Sequence, residues 1–490
     1  MSDKPIDILL IGLGAVGTIY SWILSQNSNV QVTAIARSSY EAMNEKGIEI
    51  RSDKFGHFKG WKPYRLVKDT AEANDRAYKY IIVTTKALPD LLPTASILAP
   101  FLESNLNQSV DLEDGPTVVL IQNGIGIEHG LQVAYPQVPI ISVVAWIGAN
   151  LHPGPLVTHG IMEKLIMGLY IGEGGDSPQS VEAVEDDYAD PAGYRGPGGP
   201  ERRDEGFRRT DFFAELLRKG GGAVDVYQDI QPKRYEKNLW NAAWSSICAM
   251  SRSPVSAAVA PAVLPYTLPV VRRTMLEVIY VARAWGYSEE VLPLKAVDDA
   301  IKITIKNYQK QTGIPDTPAT PSARADAFGS IGGYGFPTGP EDDDDRSATI
   351  DFKPSMLLDV EAGRPCELEP IIGSLLDRAR AKGVATPRLD VAYSTLKVHQ
   401  ELATQRYAQS PDYQEHIKSW LTKPPNVAGL GAAGRQAWEK AVRKAGLADR
   451  QVASVRMAGG KDKIPGKPID QKEDTTETDW QPSTVRLAID

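Results

Sequence analysis

"IDILLIGLGAVGTIYSWILSQ", Ile6 to Gln26, opens on six residues of which five are Ile or Leu. A run with so little polar alternation reads as a strand buried on both faces of a parallel sheet. Gly12, Gly14 and Gly17 follow at G-x-G-x-x-G spacing, and Thr18 to Leu24 reads as a helix. Glycines at these places permit a tight turn, a close approach of backbone to a pyrophosphate, and a helix pressed onto its strand. The helix N-terminus adds unpaired N–H groups and a partial positive charge. Strand, glycine turn and helix together predict an α/β fold, a Rossmann doubly wound sheet at the N-terminus. Gly12, Leu13, Gly14, Ala15, Val16 and Gly17 are then the candidate phosphate cradle of a dinucleotide cofactor.

The next predicted strand, "VQVTAIARSS" from Val30, ends on Ala36, Arg37, Ser38 and Ser39. An NAD site uses an acid at this place to hold the ribose 2′-hydroxyl. None is present, and Arg37 offers a fork of donors that matches a 2′-phosphate. The expected cofactor is NADP(H); the alternative makes Arg37 a solvated surface arginine. The alternation continues with "YKYIIVTTKA", ending at Lys86, and "PTVVLIQNGIG", ending at Asn123 and Gly124. Polar residues at the carboxyl ends of parallel strands face the ligand crevice. "IISVVAWIGAN", ending at Asn150, and "PLVTHG" read as further strands, and "TDFFAELLRKGGGAVDVYQDI" as helix, glycine stop, strand and exit near Ile230.

Beyond Ile230 the periodicity turns helical. In "YEKNLWNAAWSS", Lys237, Asn241 and Ser245 fall at i, i+4 and i+8 and share one face in an otherwise apolar helix. A charged lysine there costs free energy unless something needs it. "LPVVRRTMLEVIYVARAWGY" and "ELEPIIGSLLDRARAKG" read as two long helices, each closed by a glycine. The organisation expected is a Rossmann domain over 1–230 with an insertion at about 173–207, a helical domain over 231–423 with an insertion at about 313–350, and a mostly disordered tail over 424–490 with one short helix around 433–445. The second insertion could act as a lid on the site or be a neutral surface addition.

Composition narrows the function classes. The chain has 490 residues, 42% hydrophobic and 24% charged, with a formal net charge of -8, which argues against a general nucleic-acid binder. Its two cysteines, Cys248 and Cys366, indicate neither a disulfide framework nor a cysteine-rich metal site, and suit a reducing, cytoplasmic setting. No apolar run is long enough to span a membrane and no signal peptide is evident. The oligomeric state stays open.

These motifs, the K-x-x-x-N helix and "PSMLLDVEAGRPCELEPIIG" together resemble the 2-dehydropantoate 2-reductase (ketopantoate reductase) family. The resemblance covers Ile6 to about Gly172, about Asp211 to Ala260, and about Lys353 to Leu396. It implies an N-terminal Rossmann domain, a C-terminal all-helical domain, and NADPH-dependent reduction of a small 2-oxo acid, 2-dehydropantoate to pantoate, in pantothenate biosynthesis. By that likeness Lys237 is the catalytic lysine and Glu367 the second catalytic-site residue. Lys86, Asn123 and Asn150 would touch the cofactor, and Asn123, Asn241, Ser245 and Ser355 the substrate. Two stretches depart from the family pattern: Ser245 stands where an asparagine is common, and "SRSPVSAA" replaces a stretch that often supplies another.

The chemistry suits the residues. Hydride transfer to a ketone builds negative charge on its oxygen, and a positioned acid should donate a proton there. A lysine ammonium has three donors and a pKa that burial shifts readily. Glu367 could pair with Lys237 and orient it. The competing readings are a snorkelling Lys237, a same-fold reductase of another ketone, and a non-catalytic NADP-binding regulator; a regulator would need neither Lys237 nor Glu367. On cofactor choice, Arg37→Ala should raise the KM for NADPH by roughly tenfold or more, about 1.5–3 kcal/mol for a lost charge-assisted contact, and leave NADH use little changed. Equal KM values for NADPH and NADH in the unmodified protein would contradict the assignment.

Overall fold

Ile6–Ile11 is strand β1, and its neighbours explain its lack of polar alternation. In the computed structural model, which describes residues 5–36, 39–104, 115–173, 199–309 and 352–410, β1 lies inside a ten-stranded sheet. Strands β2 (Val30–Ile35) and β6 (Tyr80–Val83) pair with it in parallel on either side. Ile8, Leu9 and Leu10 keep no exposed surface, so both pleats of β1 are covered. The remaining strands are β3 (Ile48–Ser52), β4 (Gly56–Trp61), β5 (Arg65–Val67), β7 (Thr117–Ile121), β8 (Ile140–His152), β9 (Leu156–Leu169) and β10 (Val224–Val226). Across the sheet the order is β4-β3-β9-β8-β7-β6-β1-β2-β5, with β10 beside β9.

From β5 through β2, β1, β6 and β7 to β8 every pairing is parallel. Apart from β3 and β4, which lie at the opposite edge, the chain steps outward from β1 through β2 to β5, then crosses back over β1 to β6, β7 and β8. This is the doubly wound order, and its reversal point lies between the carboxyl ends of β1 and β6, where such sheets open a ligand crevice. Helices α1 (Ala15–Ser25), α2 (Tyr40–Lys46), α3 (Thr70–Ala73), α4 (Thr94–Leu102), α5 (His129–Ala134) and α6 (Gly199–Lys219) accompany the strands.

Three details differ from the sequence reading. "PLVTHG" is only the start of β9, which runs antiparallel to β8 as far as Ile141 opposite Leu169; Glu163 and Lys164 interrupt the apolar pattern and conceal its length. The β3–β4 hairpin is an addition at the far edge, where exposed Gly56, His57, Lys59 and Gly60 leave little hydrophobic signal. Helix α6 begins at Gly199, so the stretch assigned to the first insertion ends in helix. The segments 313–350 and 424–490, including the helix expected around 433–445, lie outside the described residues, as does Arg37.

From Gln231 the described chain is helical: α7 (Gln231–Trp240), α8 (Ser246–Ser251), α9 (Val255–Ala258), α10 (Leu264–Ala284), α11 (Lys295–Tyr308), α12 (Ser355–Glu361), α13 (Ser374–Lys382) and α14 (Pro387–Ala408). Two π-helical turns interrupt it, Asn241–Ser245 between α7 and α8, and Glu369–Gly373 directly before α13. The second splits what the sequence suggested was one helix. Trp244, Met275, Leu357, Leu368 and Ile372 build the helical core, and the same apolar cluster takes in Val144, Trp146 and Ile166 of β8 and β9. Helices and sheet are thus joined by continuous packing behind the site. Among the described residues no helix is long and apolar enough to cross a membrane.

The glycine turn has the shape its spacing requires. Gly12 has φ +103°, a left-handed value, and a Cβ there would meet Thr85 at 2.8 Å. A Cβ on Gly17 would lie 2.3 Å from the Gly12 carbonyl oxygen, so α1 is pressed onto the turn. Gly14, the N-cap of α1, has open space where its Cβ would stand. Gly17→Ala should therefore destabilise the fold by roughly 1–3 kcal/mol through overpacking against backbone, lowering the thermal midpoint. Gly14→Ala should cost less than about 1 kcal/mol as a poorer N-cap yet weaken dinucleotide binding severalfold in a fluorescence titration. Equal loss of stability in both variants would contradict this division of roles.

Candidate active site

Helix α7 starts at Gln231 with Pro232 in its first turn, where a missing N–H costs nothing. It carries Lys237 toward the carboxyl end of β7 and the middle of β8. The lysine is partly exposed along its length. Its Nζ donates to Asn123 Oδ1 at 2.8 Å and to the Ala145 carbonyl at 2.5 Å. The ammonium also sits 5.4 Å from the centre of the Trp146 ring, a favourable cation–π placement. Burial pushes the Lys237 pKa down to about 8; Glu367 opposes that shift and the nearby Arg234 cation adds to it.

Asn123 is the link between the charges. Its Oδ1 accepts from Lys237, and its Nδ2 donates to Glu367 Oε2 at 2.9 Å. The other carboxylate oxygen, Oε1, accepts from the Ala87 backbone N–H at 3.0 Å. Glu367 is 7% exposed, and burial raises its pKa against the pull of these two hydrogen bonds. The direct Lys237–Glu367 pair expected from the sequence is thus replaced by a bridge: the asparagine amide presents oxygen to the ammonium and N–H to the carboxylate. Flipping that amide would set NH2 against NH3+ and oxygen against carboxylate, so its orientation is determined by charge.

The π-turn Asn241–Ser245 adjusts the helix face. In an unbroken α-helix Ser245 would stand about 80° round from Lys237. One residue added to the turn brings it to within roughly 20°. Asn241 stays partly exposed and Ser245 is buried to 3% exposure on the same side. Ser355 is exposed at the first turn of α12. Lys86, just past β6, forms an ion pair with Asp359 of α12, which also takes Arg364 at 3.1 Å. Lys86, Asn123, Lys237 and Glu367 are thereby brought into one hydrogen-bonded and ion-paired neighbourhood. Asn150 is not among them: it is exposed on β8, paired with Thr158, five residues along the strand from Ala145.

Sequence reasoning passed over three contributors: Arg234, Glu128 and Asp359. Arg234 lies three residues before Lys237, one turn back on the same face of α7, and is 2% exposed. A basic residue at i−3 from Lys237, on the same helix face, was the available signal. Glu128, fully buried, pairs with it at 2.8 Å. Asp359 was visible as part of the S-M-L-x-D stretch, without its ion-pair role. Gly12 to Gly17 form a tight turn into α1 with open space at Gly14, and Lys86 and Asn123 follow the carboxyl ends of β6 and β7. Among the described residues no His, Cys, Asp or Glu cluster could hold a metal ion.

Comparison with known proteins identifies the family and the fold. Residues 8–171 match the family described as ketopantoate reductase PanE/ApbA. Residues 229–327 and 339–400 match its C-terminal counterpart, so the two matches together span well over half of the chain. A 2-dehydropantoate 2-reductase of Nostoc sp. is 22% identical over 396 residues, 79% of this chain and 93% of that protein. An uncharacterized protein of Saccharomyces cerevisiae, YDL144C, is 24% identical over 416 residues, 81% of this chain and 95% of that protein. The crystal structure of 2-dehydropantoate 2-reductase from Methylococcus capsulatus superposes with a TM-score of 0.54 at 23% identity, covering 81% of this chain and 98% of that one, and shares the fold. With a doubly wound sheet, a helical C-terminal region and matches to both parts, the chain belongs to the ketopantoate reductase family of oxidoreductases.

Proposed function

We propose that this protein is an NADPH-dependent reductase of a 2-oxo acid, with 2-dehydropantoate as the substrate and pantoate as the product, serving pantothenate synthesis in the cytoplasm. The observation that carries the reading is the Lys237 ammonium. Two of its three N–H donors are taken by Asn123 and Ala145, and a third remains for a substrate oxygen. A lysine with a pKa near 8 is mostly protonated at neutral pH and still gives up its proton readily.

The nicotinamide cofactor supplies the hydride when bound. Gly12 to Gly17 would hold its pyrophosphate, and Arg37, Lys86 and Asn123 would make the further contacts. Lys237 then donates its proton to the oxygen on which charge develops. Glu367, acting through Asn123, keeps the amide turned so that Oδ1 faces the lysine. Asn241 and Ser245, on the lysine's side of the helix, and Ser355 at the start of α12 supply hydrogen-bonding groups for the substrate's carboxylate and hydroxyls. Such preplaced donors are typically the largest part of the rate enhancement.

A second reading is a reductase of the same fold acting on a different ketone. It is favoured by Ser245 where an asparagine is common and by "SRSPVSAA" at 251–258. Both remove amide groups that would contact substrate. NADPH oxidation followed over a panel of 2-oxo acids that includes 2-dehydropantoate separates the two: the first reading expects the highest kcat/KM on 2-dehydropantoate, the second on another member.

Two outcomes follow for Lys237. Lys237→Ala should lower kcat by roughly 10²–10⁴-fold, the range for a lost general acid, while NADPH binding measured by fluorescence stays nearly intact. Retention of kcat within a few-fold would make the lysine structural. Because the protonated lysine is the acid, reduction should be level below about pH 8 and fall about tenfold per unit above it. Oxidation of the 2-hydroxy acid, which needs the neutral amine, should rise through the same range.

A further inference from the structure

Arg234 is the most deeply buried cation near the site, and its contacts converge on one turn. Its Nη1 donates to the carbonyls of Gln122 and Gly124, both at 3.0 Å. Those are the residues immediately before and after Asn123. Nη2 donates to the Val143 carbonyl at 3.2 Å, and Nε to Ser142 Oγ at 2.6 Å. Glu128 Oε1 lies 2.8 Å from Nε, and accepts as well from Gln231 Nε2 at 3.1 Å and from the Ser142 hydroxyl. Glu128 and the arginine are both sealed from solvent, at 0% and 2% exposure.

With the Gln122 and Gly124 carbonyls held, the peptide plane before Asn123 and the one after Gly124 are fixed, and the path of the backbone through Asn123 between them is restricted. The far side of the turn is clamped independently. Ile125 N–H donates to the Pro370 carbonyl at 2.8 Å, and Gly124, with φ +98°, is packed so close that a Cβ would stand 2.4 Å from Pro370 Cβ. We propose that Arg234, held by Glu128, is a positioning residue of the reductase: it fixes the Asn123 turn and lays its positive charge one helical turn from the Lys237 ammonium. This rests on the reading of Lys237 as the proton donor.

The charged surroundings of Lys237 make the direction of the effect clear. Arg234 on its own helix repels the protonated lysine, and Glu367 attracts it. Glu128 and Tyr170 stand about Arg234, and Lys86 and Asp359 stand about Glu367. From β8 the lysine meets the Ala145 carbonyl and the Trp146 ring, neither of them a charge. Loss of the Arg234 charge should thus raise the proton affinity of Lys237, and loss of the fork should loosen Asn123.

The test uses the full-length chain and two readouts. Lys237 is labelled with acetic anhydride over a pH series without cofactor, and its modification is read by peptide mass spectrometry. Steady-state NADPH oxidation with the best 2-oxo acid gives kcat and KM. The variants are Arg234→Met, Arg234→Lys and the double variant Arg234→Met with Glu128→Gln, which leaves no unpaired buried carboxylate and so guards against simple misfolding. In Arg234→Met and in the double variant the labelling midpoint should move upward by on the order of half a unit or more, and kcat should fall roughly tenfold with little change in the KM for NADPH. Arg234→Lys should keep the labelling midpoint near that of wild type while kcat falls, because it retains the charge and loses the fork. A folded double variant with a wild-type midpoint and a wild-type kcat overturns the proposal and leaves Arg234 a core ion pair. The labelling curve answers for Arg234 even where wild type turns over none of the acids offered, so failure of the substrate assignment is seen separately.

Discussion

An ammonium drawn out of water between a sheet and a helical layer must be given acceptors, and the Asn123 side chain supplies one while joining it to a carboxylate. That single amide connects α7, which carries Lys237, to the segment before α13, which carries Glu367, through the end of β7. Each of these charge-assisted hydrogen bonds contributes about 1.5–3 kcal/mol, comparable with the cost of leaving either charge without its partner. The geometry therefore holds only as a set. It explains why the turn after β7 is so heavily constrained, with Gly124 against Pro370, Ile125 bonded to the Pro370 carbonyl, and Arg234 beneath.

The two π-turns belong to the same constraint. One begins four residues after Lys237 and the other two residues after Glu367. The first adds a residue to the helix where a regular turn would rotate Ser245 off the face of Lys237. Such bulges weaken local hydrogen bonding and are frequent at functional sites. Here they are offset by the deep packing of Trp244 and Ile372 behind them. The helical core shares its apolar cluster with Val144 and Trp146, so the floor of the site and the core of the fold are one structure.

Much of the sheet was legible because its signals are local. β1 announces itself through a run of Ile and Leu broken only by Asp7, and Gly12 to Gly17 through spacing that marks a tight strand-to-helix turn. The K-x-x-x-N face and the glutamate twelve residues after Ser355 were legible as a pattern, though not as a geometry. What stayed hidden is non-local. The bridge through Asn123 depends on residues more than a hundred positions apart. The π-turns carry no specific mark: "NAAWS" suits an ordinary helix, and Pro370 and Gly373 in "EPIIG" signal a weakened helix without specifying a π-turn. β3 and β4 sit at an edge where burial is one-sided and short, so no apolar run betrays them. Arg234 and Glu128 were passed over because charged residues are usually solvated, and only the fold shows that these two are not.

The amide of Asn123 sorts the ammonium from the carboxylate. Asn123→Asp tests it with almost no change of shape, and the measurement is the pH dependence of kcat for ketone reduction. A carboxylate at position 123 keeps an acceptor for Lys237 but loses the donor to Glu367 and sets two like charges together. The basic limb expected near pH 8 in wild type should move upward by about a unit or more, with the level below it reduced roughly a hundredfold as Glu367 is displaced. A variant with the wild-type limb and a kcat within a few-fold of wild type would contradict it.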